Sequence, residues 1–512
     1  MQGTVRQLDG VVIGLLALAA VLLLSRLDNG LLWQDEAETA VLAQRILRYG
    51  YPRSVDGPNA LEIPPPYTYG PGEAWTYNAW APLYVSAGVF ALLGASTWTA
   101  RLPFALFGLL AVYLAWRLAV HLTDDRRIQR FTVALLATSV PFLLHMRQCR
   151  YYAMTTVGLL AVSLAYLRLL ERPSSRRVVV WLGGWLTLLF YTNFGTFIPT
   201  AGAILVHQLV SGDRRLWRPL AVMACGVAVL ILPWVAVARP GAFVGVPSLE
   251  RAVNHLTYYV RITNKYLAPL AFMAGSTLLF LAAGTPSGRL GPHRVTRAAV
   301  FLVLLVGLHV LFLLLPDQRH MRYLIPVLPV LLTGVAWWLS LCLRRCPTVG
   351  WWVAGLVVFT SLLQSTIPRI LLAEFAYELT HAYTGPMEGV IGYLRQHGRS
   401  GEIVKIPYDD RTVMFYTPLI VERPSRFVEE TYPEWVVIRR GWVPEGFLES
   451  PYFERIQAAY DRIELDAPDI LWQNREDPGP HHFRTVRDAP RVVIYRRRAA
   501  SDVAASAQSG SG

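Results

Sequence analysis

Adjacent acids, Asp35 and Glu36, begin the polar part of Trp33-Gln34-Asp35-Glu36-Ala37-Glu38-Thr39, directly after the first apolar run of the chain. A carboxylate at a membrane face can act as a general base, taking a proton from a hydroxyl or amine as that group attacks an activated carbon. A phosphate leaving group would need positive charge, and the planar fork of arginine is the side chain best shaped for it. Two short polar segments supply such arginines: His145-Met146-Arg147-Gln148-Cys149-Arg150-Tyr151 and Asp317-Gln318-Arg319-His320-Met321-Arg322-Tyr323. Simpler readings stand beside these. Acids at a helix start are favoured by the helix dipole, and arginines at the end of an apolar run can snorkel to headgroups. Glu38, Glu62 and Glu73 read as solvated or structural carboxylates. His207 and His309, each alone in an apolar run, read as hydrogen-bonded core residues. No metal-ligand spacing, phosphate-binding glycine loop or nucleophile elbow is present.

The elements that must position these residues are set by hydropathy. A chain of 512 residues that is 54% hydrophobic and only 16% charged is too apolar for one soluble domain and reads as a polytopic membrane protein. Its formal charge of +13 comes mainly from arginines in short clusters between apolar runs. That distribution suits anionic headgroups and membrane topology, and no basic run interleaved with aromatics suggests a nucleic-acid partner. Cys149, Cys225, Cys342 and Cys346 form neither a disulfide framework nor a metal pattern; Cys225 and Cys342 read as small core residues.

Eleven apolar runs are predicted to span the bilayer: residues 11–27, 102–122, 131–145, 151–170, 178–192, 195–210, 220–238, 268–284, 298–315, 323–343 and 351–371. The first lacks a small-residue cleavage site, so it reads as an uncleaved span. Residues 81–94 are apolar but short, an in-plane helix or half of an extra hairpin, and counting such extra segments as spans raises the total to thirteen. Leaving 81–94 outside places the clusters at Arg126, Arg172, Arg214, Arg289 and Arg344 on one side, which the positive-inside rule makes cytoplasmic. The expected location is therefore the cytoplasmic (inner) membrane, with the N-terminus inside and the C-terminus outside.

Residues 1–373 would then form the transmembrane domain, with a first extracytoplasmic loop at 28–101 carrying the acids. That loop has a helix-like stretch at 36–48, the run Pro64-Pro65-Pro66, and aromatics suited to headgroups, among them Trp75, Tyr77, Trp80 and Tyr84. Residues 374–498 mix a helix-like piece (387–397) with β-rich runs at 402–407, 435–439 and 491–495, the pattern of a small α/β extracytoplasmic domain. Residues 499–512 read as a disordered tail.

An acidic pair in a large first outer loop is followed, in order, by Ala100-Arg101-Leu102-Pro103-Phe104-Ala105-Leu106-Phe107-Gly108, Arg147-Gln148-Cys149-Arg150-Tyr151-Tyr152 and Arg322-Tyr323-Leu324-Ile325-Pro326-Val327-Leu328-Pro329. This ordered set, over residues 11–371, resembles the GT-C class of membrane glycosyltransferases. The branch is that of the protein O-mannosyltransferases and bacterial lipid A aminoarabinose transferases. The resemblance implies a helical GT-C membrane fold and an inverting transfer of sugar from a polyprenyl-phosphate donor to a cell-envelope acceptor. It maps the base onto Asp35, with Glu36 holding the acceptor or orienting the base. Arg150 and Arg322, with neighbours Arg147 and Arg319, would bind the donor phosphate, and Tyr151 and Tyr323 would border the substrate. Some relatives use a divalent metal held by acids of the second outer loop; residues 147–154 here contain none, so a divalent metal is left open but has no support in that loop, and no cofactor is assigned. A transporter or flippase of a lipid-linked sugar is the alternative, but such a protein should carry ionisable residues within its spans and internal repeats. A non-catalytic assembly subunit is a third reading, in which Asp35 and Glu36 would be dispensable.

Overall fold

A computed structural model describes residues 9–63, 68–238, 248–282, 293–360, 363, 370–473 and 475–498. The 64–66 proline run and the 499–512 tail lie outside the described residues. Apolar runs become helices because in hydrocarbon every backbone N–H and C=O must find its partner within the segment. Helix α1 (Gly10–Leu24) leads to α2 (Gln34–Tyr49) and α3 (Ala81–Leu93). The bundle continues with α4 (Thr97–Leu122), α5 (Arg126–Thr138), α6 (Val140–Met146), α7 (Tyr152–Glu171), α8 (Arg176–Thr192), α9 (Phe194–Ser211) and α10 (Arg214–Ala238). After α11 (Leu249–Ile262) come α12 (Leu270–Ala282), α13 (His293–Phe312), α14 (Leu328–Arg345) and α15 (Pro347–Phe359).

Each predicted span meets one of these helices, with two differences. The 131–145 run is two helices bent by 65°, at a point where Pro141 has no N–H to continue the ladder. The 323–343 run starts as a 3-10 turn, Met321–Val327, around Pro326. The last helix is described to Phe359, and residues 361–362 and 364–369 of its predicted run lie outside the described residues. Among the described residues, length and composition qualify five helices as spans, or six if the bent pair counts as one; the other apolar helices are shorter. That set is smaller than the eleven to thirteen spans predicted.

Ion pairs mark the two ends of the bundle. At one end Arg130 meets Asp9 at 3.1 Å, Arg344 meets Asp125 at 2.7 Å and His121 meets Glu171 at 3.4 Å. Arg101, Arg147, Arg150 and Arg322 lie at the other end, where their contacts run to the α1–α2 connection and α2. Helix α7 sits at the centre, with 89% of its apolar window buried, whereas α10 is at the rim with 17%. This explains why Cys225 on α10 is exposed instead of being a core residue, while Cys342 on α14 is buried as expected. His207 and His309 are buried and hydrogen-bonded, to the Tyr166 hydroxyl at 2.8 Å and the Tyr323 carbonyl at 2.7 Å. Gly108 lets α4 close on α6, since a Cβ there would stand 2.6 Å from the Met146 Cβ.

Between α2 and α3 lies a small hairpin, β1 (Val55–Asp56) and β2 (Asn59–Ala60). Buried Arg45 of α2 holds this loop, donating to the carbonyls of Arg53, Ser54 and Asn59. Beyond the bundle, α16 (Leu371–Thr380) and α17 (Pro386–His397) lead into β3 (Ile403–Lys405), α18 (Asp410–Tyr416), β4 (Ile420–Val421), β5 (Trp435–Ile438), α19 (Pro451–Ala459), β6 (Tyr460–Pro468) and β7 (Arg491–Arg497). The strands form one sheet in the order β4-β3-β5-β7-β6, parallel across the first three and antiparallel across the rest. Fully buried Arg439 locks its connections by pairing with Asp409 and Asp469 and donating to the Ile470 carbonyl.

Removing Arg439 would strand two buried carboxylates. Arg439→Ala should cost the full chain about 3–5 kcal/mol, whereas Arg48→Ala, whose partner pair is exposed, should cost about 0–1 kcal/mol. Thermal unfolding of the detergent-solubilised protein checks both.

Candidate active site

Helix α2 opens at Trp33, whose side chain makes no capping bond, so the two acids of its first turn meet the free N–H groups and the positive end of the dipole. Successive residues are rotated by about 100° on a helix, and the two acids accordingly point to different surroundings. Glu36 is fully buried and accepts a two-pronged bond from Arg101 of α4, Nε to Oε1 at 2.9 Å and Nη2 to Oε2 at 2.6 Å. The Cys149 N–H adds a third bond to Oε1 at 2.9 Å. The remaining N–H groups of Arg101 go to the carbonyls of Leu27, Asn29, Gly30 and Leu31. Glu36 thus has its back to the cleft and joins α1, α2, α4 and the 147–151 segment.

Asp35 points the other way, into a cluster of arginines, here termed the cleft, and its side chain stays 22% exposed. Its Oδ2 lies 3.1 Å from Arg322 Nη1 and 3.6 Å from Arg150 Nη2, and Arg150 also donates to the Asp35 carbonyl at 2.9 Å. Arg150 continues to Glu38 Oε1 at 3.1 Å, and Glu38, itself buried, is shared with Arg411 of α18 and with Asn78. Arg322 Nη1 also donates to Glu476 Oε1 at 3.1 Å. The rings of Tyr151 and Tyr323 each lie 5.6 Å from the guanidinium of the preceding arginine.

Of the residues singled out in the sequence, the structure brings Asp35, Arg150, Arg322, Tyr151 and Tyr323 together. Three others stand apart. Glu36 is consumed by Arg101. Arg147 spends its donors on the carbonyls of Leu22, Ser25 and Arg26 at the end of α1. Arg319 is exposed, over the Tyr258 ring and bonded to the Asn254 carbonyl. Four cluster members were not singled out for the chemistry: Glu38, Arg411, Arg475 and Glu476. The last two sit on the β6–β7 connection, and no local pattern links residue 476 to residue 35. Glu38 read as solvated or structural, and its burial in two ion pairs supports only the second description.

Burial pushes the Asp35 carboxyl up, but Arg150, then Arg322, Arg411 and Arg475 outweigh it and hold the group at about 2. Asp477 goes the other way: burial, reinforced by Glu476, raises it to about 7 against Arg322 and Arg475. The cleft therefore combines an ionised carboxylate with guanidinium groups at a bundle end, an arrangement able to hold a phosphate and accept a proton beside it.

No family model matches the chain, and comparison with curated protein sequences returns no match. Solved structures do match in fold. ArnT from Cupriavidus metallidurans bound to undecaprenyl phosphate is 18% identical, with a TM-score of 0.57 over 95% of this chain and 98% of that one. Its apo state gives 17% identity and a TM-score of 0.59 over the same shares. The archaeal oligosaccharyltransferase AglB from Archaeoglobus fulgidus, in complex with an inhibitory peptide and a dolichol-phosphate, is 14% identical, with a TM-score of 0.52 over 83% of this chain and 69% of that one. The chain shares the fold of these structures, the helical GT-C-like fold that the sequence motifs suggested.

The Glu36–Arg101 fork should be the most sensitive point of this framework. Arg101→Ala leaves a buried carboxylate uncompensated and is expected to lower stability by about 3–5 kcal/mol, seen as a lower thermal midpoint for the purified protein.

Proposed function

We propose that this protein is an inverting glycosyltransferase that moves a sugar from a polyprenyl-phosphate donor to a cell-envelope lipid, glycan or protein. The observation that carries this reading is the Asp35 carboxylate held between Arg150 and Arg322 at one end of a GT-C bundle. The acceptor hydroxyl or amine attacks the anomeric carbon while the bond from that carbon to the phosphate oxygen breaks. Its electron pair stays on the phosphate, and Asp35 takes the acceptor proton. A single displacement inverts the centre. Arg150 and Arg322 stabilise the charge gathering on the departing phosphate. As the phosphate draws those arginines to itself, their hold on Asp35 loosens and the carboxylate becomes a stronger base.

Glu36 and Arg147 act at one remove, orienting α2 and tying the 147–151 segment to α1; Arg319 lies at the rim, where it meets donor headgroups. Tyr151 and Tyr323 border the sugar. No residue is assigned to a metal, since residues 147–154 carry no carboxylate. The distribution of arginine clusters supports a cytoplasmic-membrane location with the Asp35 cleft and the C-terminal sheet on the outer face.

The test is turnover of radiolabelled polyprenyl-phosphate sugars by purified protein, with envelope extract as acceptor. Asp35→Asn should slow turnover by ~100-fold or more while donor binding survives. No turnover of any donor by wild type would remove the reading in favour of transport.

The acid limb of kcat/KM gives a second test. Asp35 at about 2 stays ionised, so it contributes no acid limb above about pH 4. Arg322→Gln removes a charge that lowers Asp35, so the limb should move up in pH. Measured in an Asp477→Asn background, which removes the carboxyl held near 7, an unmoved limb would count against Asp35 as the base.

A further inference from the structure

The C-terminal sheet unit sends Arg475 into the cleft in an unusual state. Its guanidinium lies over the Trp472 ring at 4.2 Å and the Trp33 ring at 4.8 Å. Trp33 is buried and immediately precedes α2, while Trp472 is braced edge-on by Trp442 at 4.6 Å. Indole faces stabilise a guanidinium without using its N–H donors, so the fork stays available. Nothing else takes it: among the described residues Arg475 is in no ion pair, and its Nε is buried without a hydrogen-bond partner, as are those of Arg150, Arg322 and Arg411. The other three arginines of the cleft are engaged, Arg150 with Asp35 and Glu38, Arg322 with Asp35 and Glu476, and Arg411 with Glu38.

Three of the four guanidinium groups are thus in ion pairs, with Asp35, Glu38 and Glu476, and Arg475 is in none among the described residues. Asp477, beside Glu476, and Asp410, on which Arg411 acts, are further carboxyls of the cluster that burial raises toward the neutral form. The charge of Arg475 is felt by Asp35, Glu476 and Asp477, in each case after that of Arg322. A phosphodiester joining a sugar to a lipid brings one negative charge and in-plane acceptor oxygens, the complement of a free fork.

We infer that Arg475, held open by Trp33 and Trp472, is a further donor-phosphate ligand, making the C-terminal unit part of the active site and not only its cover. The inference rests on the polyprenyl-phosphate reading above. After the bond to the sugar breaks, the phosphate gains a second negative charge, and Arg475 is the one cation of the cleft that meets it without leaving a carboxylate behind.

The experiment is equilibrium binding of undecaprenyl phosphate to the purified full chain, with undecaprenol as the uncharged control, for wild type, Arg475→Gln and Arg475→Lys. Arg475→Gln should weaken undecaprenyl phosphate binding by about 10-fold or more, leave undecaprenol binding unchanged and raise the donor KM. Arg475→Lys, which keeps the charge and loses the planar fork, should recover part of the loss. An unchanged undecaprenyl phosphate affinity in Arg475→Gln overturns the assignment. So does an increase confined to the acceptor KM, which would place the recognised anion on the acceptor instead. Wild type that binds undecaprenyl phosphate no better than undecaprenol would remove the donor reading itself, a failure distinct from one seen only in the Arg475 variants.

Discussion

The buried fork between Glu36 and Arg101 is the interaction on which the site depends. It joins residues 65 apart in the chain, and both partners are removed from water. A buried charge is tolerated only when its partner and its remaining hydrogen bonds are supplied, and here they are: Arg101 reaches four backbone carbonyls of the α1–α2 connection, and Glu36 accepts from the Cys149 N–H. One ion pair therefore sets the end of α1, the start of α2 and the segment leading to Arg150. With Glu36 fixed inward, the turn of the helix leaves Asp35 pointing into the cleft.

The electrostatics of that cluster are set by guanidinium groups acting on Asp35. A carboxylate held at about 2 is a weak base, and its arginines are occupied by acids in the state described. A phosphate that competes for Arg150 and Arg322 changes both facts at once, so in the proposed reaction donor binding and base activation are one event. Glu38 and Glu476 serve the same economy. Each holds an arginine in place by a bond that a phosphate can replace.

The two parts of the chain meet along residues 29–34. Leu31 N–H donates to Glu388, Leu32 N–H to the Tyr416 hydroxyl, Gln34 to Asp410, and Thr412 returns a bond to the Leu32 carbonyl. The segment that carries Trp33 into α2 is thereby stitched to the sheet unit that carries Arg411 and Arg475. Farther out, His481 pairs with Glu378 of α16 and ties down the β6–β7 connection beyond Glu476.

Local patterns were enough to read the helical membrane character, the acids after the first span, the two arginine segments and three of the five strands of the C-terminal sheet, β3, β5 and β7, but not β4 or the long β6. These follow from hydropathy, periodicity and residue type, all of which are properties of neighbours in the chain. The sequence also exposed Asp35, Arg150 and Arg322 as candidates, because polar residues crowded at the ends of apolar runs stand out by themselves. Residue type and spacing alone did not distinguish Asp35 from Glu36, or Arg150 from Arg147 and Arg319, since neighbouring residues of like type differ only in the face they present; the family resemblance ranked them, without a physical reason for the order. That choice was made by Arg101, by the carbonyls at the end of α1 and by the rim position of Arg319. The entry of Arg411, Arg475 and Glu476 was decided by tertiary structure alone: Arg411 is 373 residues from Glu38 and Glu476 is 154 from Arg322, separations that leave no periodic trace, and only packing of the sheet unit against the bundle end brings their charges together.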